Sequence, residues 1–478
     1  MKQSLTRLSR ALAQPLLIGP TLCVLALAAH ASCNDDLLNQ VERSTPRNGA
    51  RGRAVQPAVK APVPAAPAVV EAPTMDPQLQ LQTIAREAVR RSAQVGAVKL
   101  LVEAAQYDVD ETRGAGLPQV NVGGTIGPGT SRYTNVDWNH GLYASASVNM
   151  TGLLYDGGRN RQLTEWRREL AGAAKFSLQT AREQVVLEAV STALERNRYR
   201  LQAQVYQQYV RKMSCLVDAL QEIVSEDRGR ASELVQARKT QAQAELQRDS
   251  ALALSRQVEI RLRKLIGDQA PPSEGISSPL TLTQDVGEVL RLAEQNNELR
   301  QLRAQADASD RYAKAIDAGQ QPQVNWVLTS TGAKTGDTKS LTAQAGISVS
   351  YSVFNGGSTK AAATAAARRA ESARQQYDEY MNTRVSRIAE VHDSALTSFD
   401  RAKRYVEVLK DSDKVRSYTF QQWSQLGRRS LFDVMSAEGD HFNLRIAYVN
   451  SLYDGYQANA QLRSIGAGLV GWLVPDAP

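Results

Sequence analysis

Residues 427–466 read GRRSLFDVMSAEGDHFNLRIAYVNSLYDGYQANAQLRSIG, and a step of seven runs through them. Met435, Phe442, Val449 and Tyr456 keep that step, with Phe432, Ile446, Tyr453 and Ala460 on a neighbouring stripe. Such a period belongs to a helix packed as a coiled coil. Residues 229–267, GRASELVQARKTQAQAELQRDSALALSRQVEIRLRKLIG, echo it: Ala237, Ala244, Ala251, Val258 and Leu265 stand in the same register relative to the leading glycine. The glycine and arginines that open the later segment mark a tight turn between helices rather than helix interior. One supersecondary unit is thus written twice, and an internal repeat governs the fold a chain can take.

What precedes each unit is duplicated as well. Residues 79–112 predict a helix buried along Ile84, Ala88, Val89, Ala93, Val98, Val102 and Ala105, ended by Gly114-Ala115-Gly116-Leu117-Pro118. Val120, Val122 and Thr125 begin an alternating stretch, residues 129–141 form a polar loop, and residues 143–153 alternate again. Small, polar and apolar side chains in alternation suit a strand with one lipid face and one lumen face, near the ~9–11 residues a tilted membrane strand needs. Tyr155-Asp156-Gly157-Gly158 closes that hairpin, and residues 159–226 predict a helix of ~100 Å at about 1.5 Å per residue. Its buried stripe is Val190, Leu194, Leu201, Val205, Tyr209, Met213, Leu216, Leu220 and Ile223.

The second copy begins after a Pro/Ser/Gly-rich linker at 268–283. Residues 286–318 predict a helix, and Gln321-Pro322-Gln323-Val324-Asn325 repeats Pro118-Gln119-Val120-Asn121. The strand GISVSYSVF then runs into Phe354-Asn355-Gly356-Gly357, and a second long helix covers 360–424. Gly157, Gly158, Gly356 and Gly357, with Pro118 and Pro322, are therefore strand–helix corners. The predicted domains are 78–267 and 284–473, with a short tail at 474–478. Four strands cannot close a membrane barrel and an open edge is not tolerated in lipid, so the chain should oligomerise.

Residues 427–466 closely resemble the final helix of TolC-like outer-membrane ducts, and the likeness extends over residues 76 to 473. The resemblance implies an α+β membrane protein: a homotrimer whose four strands per protomer form a transmembrane β-barrel, continued by a periplasmic α-barrel of coiled-coil helices. It implies an outer-membrane exit channel working with a periplasmic adaptor and an inner-membrane ABC or proton-driven transporter. It also assigns positions. Gly229, Arg230, Ser232, Gly427, Arg428 and Ser430 become adaptor-docking tips, against the alternative of plain solvated turns. Asp433 becomes a tunnel-entrance carboxylate, and Arg429 a gate-latching arginine. Asp433 could instead point at Arg428 or Arg429. The family's second aspartate is replaced by Ser436, Ser424 with Trp423 beside it stands where an aromatic latch would be, and Glu438 and Asp440 read as solvated helix positions, against the alternative that either supplies further charge at the entrance.

Two duties fit an exit channel. One is type I protein secretion, which the carboxy-terminal stretch resembles; the other is small-molecule efflux. A periplasmic coiled-coil structural protein is the reading from another class. No constellation for catalysis, cofactor or metal emerges: His30, His140, His392 and His441 are scattered singly. The net charge of +8 is mixed with acids along helices, so nucleic-acid binding is not expected. Lys2, Arg7 and Arg10 before an apolar run ending at Ala29-His30-Ala31 predict a signal peptide over 1–31, with Cys33 lipidation as the alternative. Residues 32–77 are a Pro/Ala-rich leader expected to be disordered. Cys33 and Cys215, in leader and helix, do not suggest a disulfide framework.

Overall fold

The computed structural model describes residues 76–131, 138–268, 271 and 276–474. The expectations for the signal peptide, for the leader through residue 75 and for the end of the tail lie outside them. In chain order come α1 (Pro77–Arg91), α2 (Ala93–Gly114), β1 (Gln119–Ser131), β2 (Asn139–Tyr155), α3 (Arg159–Glu226) and α4 (Ala231–Ile266). The second copy follows as α5 (Val286–Ala293), α6 (Asn297–Ala318), β3 (Gln323–Thr335), β4 (Thr338–Ser350), α7 (Ser358–Ser424) and α8 (Leu431–Ile465), with α9 (Leu469–Leu473) at the end.

Four predicted elements differ. The helix expected over 79–112 is two helices, because Ser92 caps the second: its Oγ accepts from the Val95 N–H at 3.2 Å. Asn296 divides 286–318 in the same way, its Oδ1 accepting from the Glu298 N–H at 3.0 Å. The strand expected to reach Phe354 stops at Ser350, paired with Gln323; the next residue on the partner strand is Pro322, which has no N–H for the ladder. The polar loop expected over 129–141 is shorter than that, because Gly129, Thr130 and Ser131 pair with Gly141, His140 and Asn139. Cys33, on which the cysteine expectation also rests, lies outside the described residues, and Cys215 is disulfide-bonded.

The chain divides into two compact units, each drawing on both repeats. One unit holds the described residues up to Ile84, with Ala189–Thr283 and Asp393–Asn459. There the seam residues Ala237, Ala244, Ala251 and Val258 of α4 are buried, as are Met435, Phe442, Val449 and Tyr456 of α8. Phe432, expected on the stripe beside the seam, is 51% exposed, because Leu431 takes the inward position beside Val434 and Met435. Arg198 of α3 donates to Asn450 and to Asp454 of α8, both at 2.9 Å, tying the two repeats together. The other unit holds Ala85–Glu188, Gln284–His392 and the residues from Ala460. Its sheet has the order β1-β2-β3-β4, antiparallel throughout. Glu183 of α3 accepts the N–H groups of Leu469 (2.6 Å) and Val470 (3.0 Å), which fastens α9.

Candidate functional site

The register of the sheet sorts its residues onto two faces of opposite character. Directly paired residues share a face, and neighbours along a strand alternate. Val120, Val122 and Ile126 of β1 thus share one face with Leu142, Val148 and Met150 of β2, Trp326 and Leu328 of β3, and Leu341, Ile347 and Val349 of β4. The other face carries Gln119, Asn121, Thr125, Ser145, Ser147, Asn149, Thr329, Thr331, Thr342, Gln344 and Ser348, with Tyr143, Leu153 and Val327 among them, while Ser330, Lys334 and Lys339 lie on the first face. On it, Thr329 Oγ1 donates to Asn149 Oδ1 at 2.7 Å. An apolar band outside and hydroxyls and amides inside is the division a barrel wall makes between lipid and water.

Each pair of glycines at the strand–helix corners lies in the left-handed region: Gly157 at φ 66, Gly158 at φ 83, Gly356 at φ 65 and Gly357 at φ 80. In the first corner Asp156 accepts from the Gly158 N–H at 2.9 Å and from the Asn160 N–H at 2.6 Å, which starts α3. In the second, Asn355 takes the place of Asp156 and donates to Thr359. Pro118 and Pro322 stand immediately before β1 and β3.

The turns of the two helical hairpins are brought together in one unit. Beneath them Met213, Leu216 and Leu220 of α3, Leu234 of α4, and Leu431, Val434 and Met435 of α8 form one apolar cluster, with Trp423 and Phe420 packed against it. The turns are not alike. Gly427 has φ 59, whereas Gly229 lies in a 3-10 turn whose Asp227 carboxylate accepts its N–H at 2.9 Å. Arg230 pairs with Glu233 at 2.8 Å and lies over the Trp423 ring at 5.9 Å. Ser232 and Arg428 are exposed. Arg429 donates to Gln422 Oε1 at 3.2 Å.

Ser430 and Asp433 cap α8 reciprocally. Asp433 Oδ2 accepts from the Ser430 N–H and hydroxyl, each at 3.0 Å, and Ser430 Oγ accepts from the Asp433 N–H at 3.3 Å. These bonds hold the Asp433 carboxyl below its ordinary pKa, with Arg429 adding to the effect, so it stays ionised. Glu438 is not the solvated position expected of it. It is 2% exposed, with Lys212 of α3 at 3.9 Å and Arg416 of α7 at 3.4 Å. The signal was present: Glu438 lies one heptad after Leu431 and one before Arg445, all three of them buried.

The fold and the two-faced sheet define a class, the outer-membrane channels whose helical tunnels stand in the periplasm. The outer membrane efflux protein family model matches residues 84–268 and 289–468, so the chain belongs to that family. Solved structures share the fold at low identity. CusC is 16% identical with a TM-score of 0.74, covering 81% of this chain and 92% of its own. VceC of Vibrio cholerae is 17% identical with a TM-score of 0.71, covering 81% and 96%. The CmeC outer membrane channel of Campylobacter jejuni is 13% identical with a TM-score of 0.70, covering 86% and 94%. No curated protein matches the sequence.

Proposed function

We propose that three copies of this chain close one barrel and serve as the exit duct of a type I secretion system, which passes a protein from an inner-membrane ABC transporter through a periplasmic adaptor to the outside. The observation that supports this best is the sheet. Its apolar face suits lipid, its opposite face suits a water-filled lumen, and β1 and β4 each have a free edge that only another copy can pair. Gly229, Arg230, Ser232, Gly427, Arg428 and Ser430 are the adaptor-docking positions, and the helices their turns join share one apolar cluster. The entrance is lined by Asp433, with Arg429 as its latch. The likeness of the carboxy-terminal stretch to ducts for adhesins and toxins supports a protein cargo.

A second reading, small-molecule efflux with a proton-driven or ABC pump, is favoured by the family's own description. Deleting the gene separates the two. Loss of one large protein from the medium with drug susceptibility unchanged is the result secretion predicts. Raised susceptibility with an unchanged secreted profile would replace it with efflux.

A further inference from the structure

A coiled-coil seam usually closes on apolar side chains, yet the buried column Leu431, Glu438, Arg445 of α8 carries two charges in succession. The carboxylate of Glu438 reaches two other helices at once: Oε1 lies 3.9 Å from Lys212 Nζ of α3 and Oε2 lies 3.4 Å from Arg416 Nη1 of α7. Arg416 is shared with Asp413 of its own helix at 2.6 Å. Around the pair stand Tyr209 from α3, Ser412 from α7, and Asp440, His441 and Arg445 from α8; His441 Nδ1 meets Ser412 Oγ at 3.3 Å. A buried ion cluster of this kind adds little net stability, because desolvation offsets the attraction; the best-attested use of a polar seam residue is to fix register. An apolar seam tolerates a slip. A slip of α8 by one turn, about 5.4 Å, would carry the carboxylate away from both cations and leave Glu438 buried without either of them, while Arg416 would keep only Asp413 of its own helix.

We propose that Glu438 is the positioning residue that sets the axial register of α8 against α3 and α7, and so holds the entrance segment around Asp433 in its resting place. The inference rests on the duct reading above, since only in a duct does that segment control a passage. Residues 433 and 438 lie on the same rigid helix, little more than one turn apart, so register fixed at Glu438 is register fixed at the entrance.

The test compares the full mature chain with a variant carrying Glu438→Met, Lys212→Met and Arg416→Met together, which removes the three charges at once and leaves only the solvent-exposed Asp413 without its arginine. Oligomer mass and melting temperature are measured in detergent, and resting conductance in planar bilayers. The expected result is an oligomer that melts at or above the wild-type temperature yet conducts severalfold more at rest. A stable variant with wild-type resting conductance would overturn the proposal, and so would one that no longer assembles, since the cluster would then serve folding alone. A wild type that inserts but never conducts would count against the duct reading itself.

Discussion

At Gly427 the backbone has φ 59, a region that costs an ordinary side chain roughly 1–3 kcal/mol. Gly229 has no such requirement, though a Cβ there would press on the Asp227 carboxylate at 3.0 Å, an exposed side chain that can shift, so Gly427→Ala should lower the melting temperature more than Gly229→Ala does. Gly427→Trp should in addition abolish export with oligomer and membrane insertion intact; normal export would show that the turn is not a docking site. Asp433 is ionised and caps α8, and three copies around an entrance would attract cations. Hexamminecobalt added from the periplasmic side should block wild-type channels and block Asp433→Asn less, with lower cation selectivity; equal block in both would remove Asp433 from the entrance. His441 titrates near 4, pushed down first by burial and then by Arg416 and Arg445. Its folded pKa is below the ordinary 6.5, so the unfolded chain takes up a proton that the folded chain refuses. The stability this imidazole contributes is therefore fully present above pH 6.5 and falls by about 1.4 kcal/mol per pH unit on the way down to about 4. Melting curves across that window should show the loss, and His441→Gln should flatten it.

Among the elements, the two long helices were legible nearly to the residue: α3 was predicted as 159–226 and α7 within two residues of its start. Their ends are written locally, in paired glycines at one end and a turn-forming glycine at the other. The breaks at Ser92 and Asn296 were not legible, because a single capping side chain inside a helical pattern is indistinguishable from a polar surface position until its hydrogen bond is seen. Charge misled at Glu438, since a carboxylate reads as solvated even where, as here, its heptad step from Leu431 marks a seam position. At Phe432 the period was right and the choice between adjacent apolar residues was wrong. The alternation of the strands was legible; their pairing across repeats, β2 to β3, was not. That pairing assigns faces, and the faces can be tested. Ile347→Arg, on the apolar face, should destabilise the inserted protein by about 2–4 kcal/mol if it lies at mid-bilayer. Thr342→Arg, on the polar face, should insert normally and shift ion selectivity. Equal destabilisation by both, read from urea unfolding in lipid vesicles, would contradict the assignment.

For the whole molecule the governing fact is that, among the described residues, the sheet leaves β1 and β4 each with one neighbour, and a lipid-exposed open edge is not a stable arrangement. Each compact unit takes segments from both repeats, so neither half of the sequence supplies a fold without the other. Single-chain barrels begin at about eight strands, which four strands per copy reach only by association. Three copies supply twelve. The mass of the mature chain, purified in mild detergent and measured by native mass spectrometry, tests this directly. The account predicts a closed species of three times the chain mass that persists as detergent is diluted. A monodisperse monomer with its strand content intact would contradict it.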